Sequence, residues 1–320
     1  MSTLIKKVLI YLLPLFLVFV AFEMFYRFVP NDYAVKYATI PKKYDSTKIL
    51  IFGNSHTFYG LNPKYFDKPA YNIANISQPL YFDKILFDNY IDKFKNVKCV
   101  VLNIEYTSLS EIVDTEENNW RKYYYQTYMH LAVPSINEYD CTKYFLSSTR
   151  SFNANTKLVL RYLKDGTLVD CDENGFGINY TKTKKIPLLQ KDALERVKSI
   201  EDNLMNFDDN IIRVQSIIDT CKKRGIKVVL LNMPVSSYFA DGVNQVKLKK
   251  IQKTCKSIAK INYNVSYLNL FQDKRFTNED FFDADHLHTE GAVKCSKVVN
   301  SFVNEIIKNG GTFQIWVQWK

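Results

Sequence analysis

The chain has 320 residues but only four histidines, so each can be weighed alone. Its six cysteines, Cys99, Cys141, Cys171, Cys221, Cys255 and Cys295, show no paired spacing. They read as scattered small hydrophobes rather than a disulfide framework or a metal site, a pattern that argues weakly against a strongly oxidising compartment. Internal repeats and low-complexity tracts are missing, and so is any dense basic arm. Basic residues come mostly as scattered pairs such as Lys42-Lys43, Lys184-Lys185 and Lys249-Lys250, with no zinc-finger, RNP or basic-zipper pattern. The net charge of +10 therefore reads as a solvated basic surface, suited to a negatively charged envelope, and nucleic acid is not an expected partner. What is present is ordinary for a globular protein: 47% hydrophobic and 24% charged residues, which excludes a disordered or collagen-like chain. Tyr and Phe number 22 each, ample for a large core or an aromatic-lined groove.

Residues Val8 to Phe22 are uncharged and almost entirely apolar; Glu23 interrupts, and Met24-Phe25-Tyr26 continue. As a helix, Val8–Tyr26 measures about 28 Å, close to the ~30 Å hydrocarbon core of a bilayer. Lys6 and Lys7 precede it, and Tyr26 and Arg27 suit the far interface. A cleaved signal peptide would end in small residues, where Phe22-Glu23-Met24-Phe25-Tyr26 stands; a core helix would show polar positions with a 3.6 period, and the run shows none. An uncleaved single-pass anchor is expected, with Pro14 tolerated inside it. A short N-terminal flank before a long domain puts the domain outside the cytoplasm, although the charges on the two flanks do not decide the orientation.

Further on, Lys48–Phe52, Ala70–Ala74, Cys99–Leu102, Val228–Leu231 and Val265–Leu270 read as short strands, the third continuous enough to be buried on both faces. Helical spacing is visible over Leu80–Phe94, over Ile211–Cys221 closed by Gly225, over 243–259 and over Thr289–Lys308. Strand and helix in alternation predict a three-layer α/β fold, a parallel sheet covered on both faces with ligands at the strand ends. Residues 109–206 look like a long irregular or mixed insertion, a functional loop or lid. Its Tyr123–Tyr128 cluster fits either stacking on sugars or packing of a lid. The expected division is an anchor over 1–30, a linker over 31–46, the main domain over 47–308 and a tail over 309–320 holding Trp316 and Trp319.

Two segments carry candidate chemistry. Gly53-Asn54-Ser55-His56 follows the first strand, where a serine projects its hydroxyl at the sheet edge and neighbouring backbone N–H groups face a developing oxyanion; a plain turn has the same composition. Phe282–Gly291 holds His286 and His288 just before the last helix. Asp283, three residues before His286, can accept a hydrogen bond from the imidazole and fix its tautomer. The same segment could instead hold a metal or be a surface loop, but further ligands at matching spacing are scarce, so no metal or other cofactor is expected. His56 is expected to be a first-turn helix residue, Asp285 to be solvated and His288 to be exposed on its loop.

With these blocks in this order, the chain resembles the SGNH (GDSL-like) hydrolase superfamily over about residues 47–308. The resemblance rests on Gly53-Asn54-Ser55 with Gly60-Leu61-Asn62-Pro63 downstream, and on Asp283-x-x-His286-Leu287 followed by Gly291-Ala292. With the N-terminal anchor, it looks most like membrane-tethered members of bacterial envelopes, those of teichoic-acid D-alanylation and polysaccharide O-acetylation. The resemblance implies Ser55 as nucleophile, His286 as general base and then acid, and Asp283 as the group that orients it. The family's oxyanion hole uses the nucleophile's N–H, a glycine after the second strand and an asparagine after the third. Here Ser77 stands at the glycine place, in a block that also holds Asn75, and Asn103 is the candidate after the third strand without the usual Gly-x-Asn pattern. The implied function is a serine esterase or O-acyltransferase on acyl esters of envelope glycans, with an acylated or acyl-accepting glycan as substrate. A catalytically weak member that binds a glycan or a membrane-bound acyltransferase is the alternative.

Overall fold

The computed structural model of the chain describes residues 3–112, 119–181 and 186–308. The expected tail at 309–320, with Trp316 and Trp319, and the pair Lys184-Lys185 lie outside these residues. Among the described residues the strands are β1 (Ile49–Phe52), β2 (Ala70–Asn72), β3 (Cys99–Asn103), β4 (Lys227–Asn232) and β5 (Val265–Asn269). The helices are α1 (Thr3–Phe28), α2 (Asp32–Thr39), α3 (Ser55–Gly60), α4 (Leu80–Tyr90), α5 (Arg121–Met129), α6 (Phe152–Asp165), α7 (Ile186–Ile200), α8 (Asp208–Lys223), α9 (Ser237–Gly242), α10 (Gln245–Ile261) and α11 (Thr289–Lys308).

The chain forms two compact units. One combines Met1–Ala38 with Asp114–Asp170; the other combines Thr39–Val113 with Cys171–Lys320. The second unit is the α/β domain. Its strands pair in parallel in the order β2-β1-β3-β4-β5. β1, β3 and all of β4 after Lys227 are fully buried, as their continuous apolar runs require of a parallel sheet with helices on both faces. On one face Ile49, Ile51, Val101, Val229 and Leu231 meet Cys295, Val299, Phe302 and Val303 of α11, apolar positions that recur along one side of that helix. α4 and α8 cover the other face, with Val214, Ile217, Ile218 and Cys221 turned inward and Gly225 in the left-handed conformation (φ +67°) just past the end of α8. Between β1 and β3 the strand order reverses direction, so the connections leave on opposite faces and open a crevice at the strands' C-terminal ends.

In the first unit, Tyr26 and Tyr33 are buried with Tyr123, Tyr124 and Tyr125 of α5; the Tyr124 ring packs edge-on against Tyr26, Tyr33, Trp120 and Tyr128. Of the two roles considered for the tyrosine cluster, the packing one is therefore what the fold uses. The stretch 109–206 is also more regular than its sequence suggests. It carries α5, α6 and α7, and α5 escapes apolar periodicity because its buried face is built of tyrosines. Residues 32–39 of the expected linker form α2. The six cysteines are free, five of them buried and Cys141 exposed.

α1 contains the apolar run Ile5–Phe28, with mean hydropathy 2.5, long enough to cross a membrane. Glu23, the residue that breaks the run, is satisfied inside its own unit. It pairs with Arg27 at 2.9 Å and accepts the Ser147 backbone N–H at 3.0 Å.

Candidate active site

The candidate residues lie at the C-terminal edge of the sheet, all within the second unit. β1 ends at Phe52, and Gly53 turns the chain at φ +132°. A side chain there would be barred twice, by that dihedral and by Asn103 Cβ, which an added Cβ would approach to 2.5 Å. Asn54 caps α3, its Oδ1 accepting the His56 N–H at 3.1 Å, so Ser55 becomes the first helical residue. At the other end of the chain, Asp283 Oδ1 accepts the backbone N–H groups of Asp285 (3.1 Å) and His286 (2.9 Å), folding the segment before α11 into a tight turn.

The two segments meet. His286 Nε2 lies 2.8 Å from Ser55 Oγ, and His286 Nδ1 lies 2.9 and 3.1 Å from the two oxygens of Asp283. Hydroxyl, imidazole and carboxylate are thus in line, with Ser55 more than two hundred residues from the other two in sequence. With carboxylate oxygens at Nδ1, the Nδ1–H tautomer is favoured, leaving Nε2 able to accept the serine proton. Ser55 and His286 are nearly buried, at 8% and 7% exposure.

The other predicted residues divide. Ser77 lies beside Ser55 on the wall of the same cleft, and its φ of +50° is the left-handed conformation that glycine adopts without cost. At the place where the resemblance expects a glycine, its backbone has taken a conformation that suits glycine. Asn75 is buried behind the Gly53–Ser55 turn, its N–H on Gly53 O at 3.2 Å and its side-chain oxygen on the Ile76 N–H at 2.8 Å. Asn103 ends β3, and its Nδ2 donates to Asn54 Oδ1 at 3.0 Å. It braces the helix cap and is not on the cleft wall.

Two expectations are corrected. Asp285 is not solvated: it is 3% exposed, with one oxygen 3.2 Å from His286 Nδ1 and the other 2.9 Å from Arg196 Nε and 3.2 Å from His56 Nε2. Three cationic or N–H groups converging on one carboxylate outweigh the cost of burying it. His288 is not an exposed loop residue. Its Nε2 donates to Glu279 O at 2.7 Å, and its Nδ1 accepts the N–H groups of Glu290 (3.0 Å) and Gly291 (3.3 Å), so it caps α11. His56, while in the first turn of α3 as expected, is buried and faces Glu105 (3.0 Å) as well as Asp285. Glu105 also accepts from the Asn54 amide.

These groups set the charge state of His286. Burial alone would lower its pKa; the carboxylates of Asp285 and then Asp283 outweigh burial and hold it above the usual histidine range. Burial would raise the pKa of Asp285, but the imidazolium of His286 and the hydrogen bonds from His286 and His56 hold it well below the usual carboxylate range. Below the Gly53–Ser55 turn, Asp83 Oδ1 accepts from Gly53 N (3.0 Å) and Gln78 Nε2 (2.6 Å). Its burial pushes its pKa up to about 7, against the pull of those two bonds.

The cleft has a volume of about 460 Å³, and its walls include Ile76, Tyr180, Asp192, Glu195 and Arg196 beside the Ser55–His286–Asp283 line. Tyr180 is sandwiched between the rings of Tyr59 (3.7 Å) and Phe282 (3.9 Å) and meets His286 edge-on at 5.5 Å. Sequence reasoning missed Tyr180, Arg196 and Glu105. The first two sit in the insertion, without a motif; the signal for Arg196 was the amphipathic pattern of α7. His56, Asp285 and His286 place ligand-type atoms within 4.8 Å of one another, which makes them a candidate cation group. Arg196 already occupies an oxygen of Asp285, and one nitrogen of His286 faces Ser55, so the arrangement suits an ion-pair network better than a metal.

No protein-family model matches the chain, and no curated protein matches it. Among solved structures, it is similar to one named as a candidate acylhydrolase from Bacteroides fragilis NCTC 9343, with TM-score 0.44 and 12% identity, over 85% of this chain and 96% of that one. It is also similar to one named as a candidate platelet activating factor from Streptococcus pneumonia, with TM-score 0.40 and 13% identity, over 84% of this chain and 92% of that one.

Proposed function

We propose that the chain is a membrane-anchored serine esterase or O-acyltransferase of the SGNH type, acting on acyl esters of cell-envelope glycans through an acyl-serine intermediate. The observation that carries the reading is the Ser55–His286–Asp283 line, with its 2.8 and 2.9 Å contacts. Ser55 Oγ attacks the ester carbonyl while His286 Nε2 takes its proton; Asp283 holds the ring and stabilises the imidazolium. The N–H of Ser55, a first-turn donor with no partner inside the helix, and the N–H of Ser77 face the developing oxyanion. The imidazolium then protonates the leaving alcohol. Water or a sugar hydroxyl, deprotonated by the same Nε2, attacks the acyl-serine and releases acid or acylated product. The resemblance of the sequence blocks to envelope members of the family supports the glycan.

The anchor reading is supported by α1 itself. Tyr26, near its end, is 3% exposed and its hydroxyl donates to Asn155 Oδ1 at 2.7 Å, so removal of α1 by signal cleavage would strip a core residue from its unit. A short flank before α1 with a long domain after it supports an extracytoplasmic main domain.

Labelling with a fluorophosphonate probe tests the chemistry: Ser55→Ala is expected to lose both the label and ester turnover. Label retained in that variant would remove Ser55 from the mechanism. Acetyl-ester turnover with and without a sugar acceptor then separates acetylated sugar, the transferase product, from acetate alone. One observation favours the weak or non-catalytic alternative, a glycan- or acyltransferase-binding protein: Asn103 is committed to Asn54, which leaves two backbone donors for the oxyanion.

A further inference from the structure

The fourteen residues Ile5–Val18, which include Lys6 and Lys7, are all exposed; from Phe19 onward one side of α1 is covered by its own unit, Tyr26 fully, while Ala21, Met24 and Phe28 stay exposed. Fourteen residues span about 21 Å, some 9 Å short of a ~30 Å hydrocarbon core. A core that begins at Val8, just past Lys7, needs about twenty residues and ends near Arg27. The stretch Phe19–Tyr26 therefore falls inside the outer part of the bilayer, and whatever packs on it falls there too.

What packs on it is the segment 144–163. Phe19 meets Phe145, Phe22 meets Phe152 and Phe25 meets Tyr162, each pair with ring centroids 5.6 Å apart. Between Phe152 and Tyr162 α6 advances about 15 Å, while α1 advances only about 4.5 Å between their partners, so α6 lies across α1 rather than along it. A helix across a membrane span lies in the plane of the bilayer. The free side of α6 is apolar: Phe152, Leu160 and Leu163, at helical spacings of eight and three, are 67%, 59% and 73% exposed. Lys157 and Lys164 border that stripe and are exposed, while Arg161, farther round, pairs with Asp165 and Asp170.

We infer that α6, with the preceding Tyr144–Phe145 turn, is seated in the phospholipid leaflet at the C-terminal end of α1, its Phe152–Leu160–Leu163 stripe in the acyl chains and its lysines at the headgroups. This rests on the reading of α1 as a membrane span. Phe22–Phe25, the level at which α6 crosses, would lie roughly 3–8 Å below the edge of the hydrocarbon, the depth range of an in-plane amphipathic helix. The first unit is then a footing that fixes α1 rigidly to an in-plane helix, instead of a flexible stalk. The apolar length that α1 lacks is supplied by the stripe on α6.

The test uses the full chain in phosphatidylcholine nanodiscs, with Cys141→Ser to remove the exposed thiol and single nitroxide labels at Tyr11→Cys, Lys157→Cys, Leu160→Cys or Leu163→Cys. Collision with oxygen, which concentrates in lipid, is compared with collision with a nickel chelate, which stays in water. Labels at 160 and 163 are expected to favour oxygen as the label at 11 does, with the preference falling at 157. Lipid exposure at 11 with water exposure at 160 and 163 overturns the seated helix while leaving the anchor in place. Water exposure at 11 overturns both.

Discussion

Replacing Asp285 by asparagine isolates the feature that most distinguishes this site, a second carboxylate on the histidine. Asp285 Oδ1 stands 3.2 Å from His286 Nδ1, about as close as the Asp283 oxygens. At that distance, with an effective dielectric near 20, one unit charge is worth about 5 kcal/mol to the imidazolium. Arg196, 2.9 Å from the other oxygen, offsets much of it, so a net effect of about one to two pH units, or about 1.4–2.7 kcal/mol, is expected. The sign follows from the raised pKa of His286. Serine attack needs the neutral ring, so ester hydrolysis rises with pH until the folded pKa is passed. Asp285→Asn lowers that pKa and moves the acid limb of kcat/KM against pH to lower pH. Arg196→Met strips Asp285 of its counter-charge and moves the limb to higher pH. The assay is hydrolysis of p-nitrophenyl acetate by the wild type and both variants across pH 5–10, with thermal unfolding to confirm that each is folded. An acid limb that does not move, or moves the same way in both, refutes Asp285 as a determinant of the histidine's charge.

Other perturbations give distinct readouts. Ser77→Gly relieves a left-handed serine and keeps the backbone N–H, so it is expected to raise stability by about 0.5–1 kcal/mol in thermal unfolding with kcat unchanged; a hundredfold loss of kcat would mean that the side chain itself takes part. Asp83 has a folded pKa of about 7 against an ordinary 3.8, so the folded state keeps its proton longer than the unfolded chain, and this group's contribution to stability falls by a few kcal/mol as pH rises from about 4 to about 7. Asp83→Asn keeps an oxygen for Gly53 and Gln78, and urea unfolding should show it gaining on wild type at pH 8 relative to pH 5; a constant difference would refute a titrating Asp83. Asn103→Ala is expected to lower kcat by less than about tenfold, against the 10²–10³ of a lost oxyanion donor, and to cost about 1 kcal/mol of stability through the lost bond to Asn54. A larger kcat loss with unchanged stability would return Asn103 to the oxyanion hole.

The local elements were legible because they depend on local pattern. The apolar runs of β1, β3 and β4 announce buried parallel strands, and Ile211–Cys221 and Thr289–Lys308 repeat apolar residues at the period of a helix face. Strand, turn and serine at Phe52–Ser55, with Asp283 and His286 three apart, marked the two ends of the Ser–His–Asp line. The insertion was harder. α5 buries tyrosines, residues equally at home on a surface, and α6 keeps its apolar stripe exposed, so neither shows the hydrophobic-in, polar-out contrast on which periodicity depends.

By itself the sequence determined the class of fold, the apolar run of α1 and the three groups that meet at the sheet edge, because each rests on residue type and short spacing. Only the tertiary structure decided what surrounds them. Asp285, which alternation in a turn would leave in water, is buried because His56 of α3 and Arg196 of α7 meet it beside its neighbour His286. Asn103 is turned to Asn54 because Gly53 leaves room for it to pack there, and His288 caps α11 because a carbonyl nine residues earlier fixes its tautomer. Contacts between distant residues set each of these, and no local pattern encodes which partner a side chain will meet when the sheet closes.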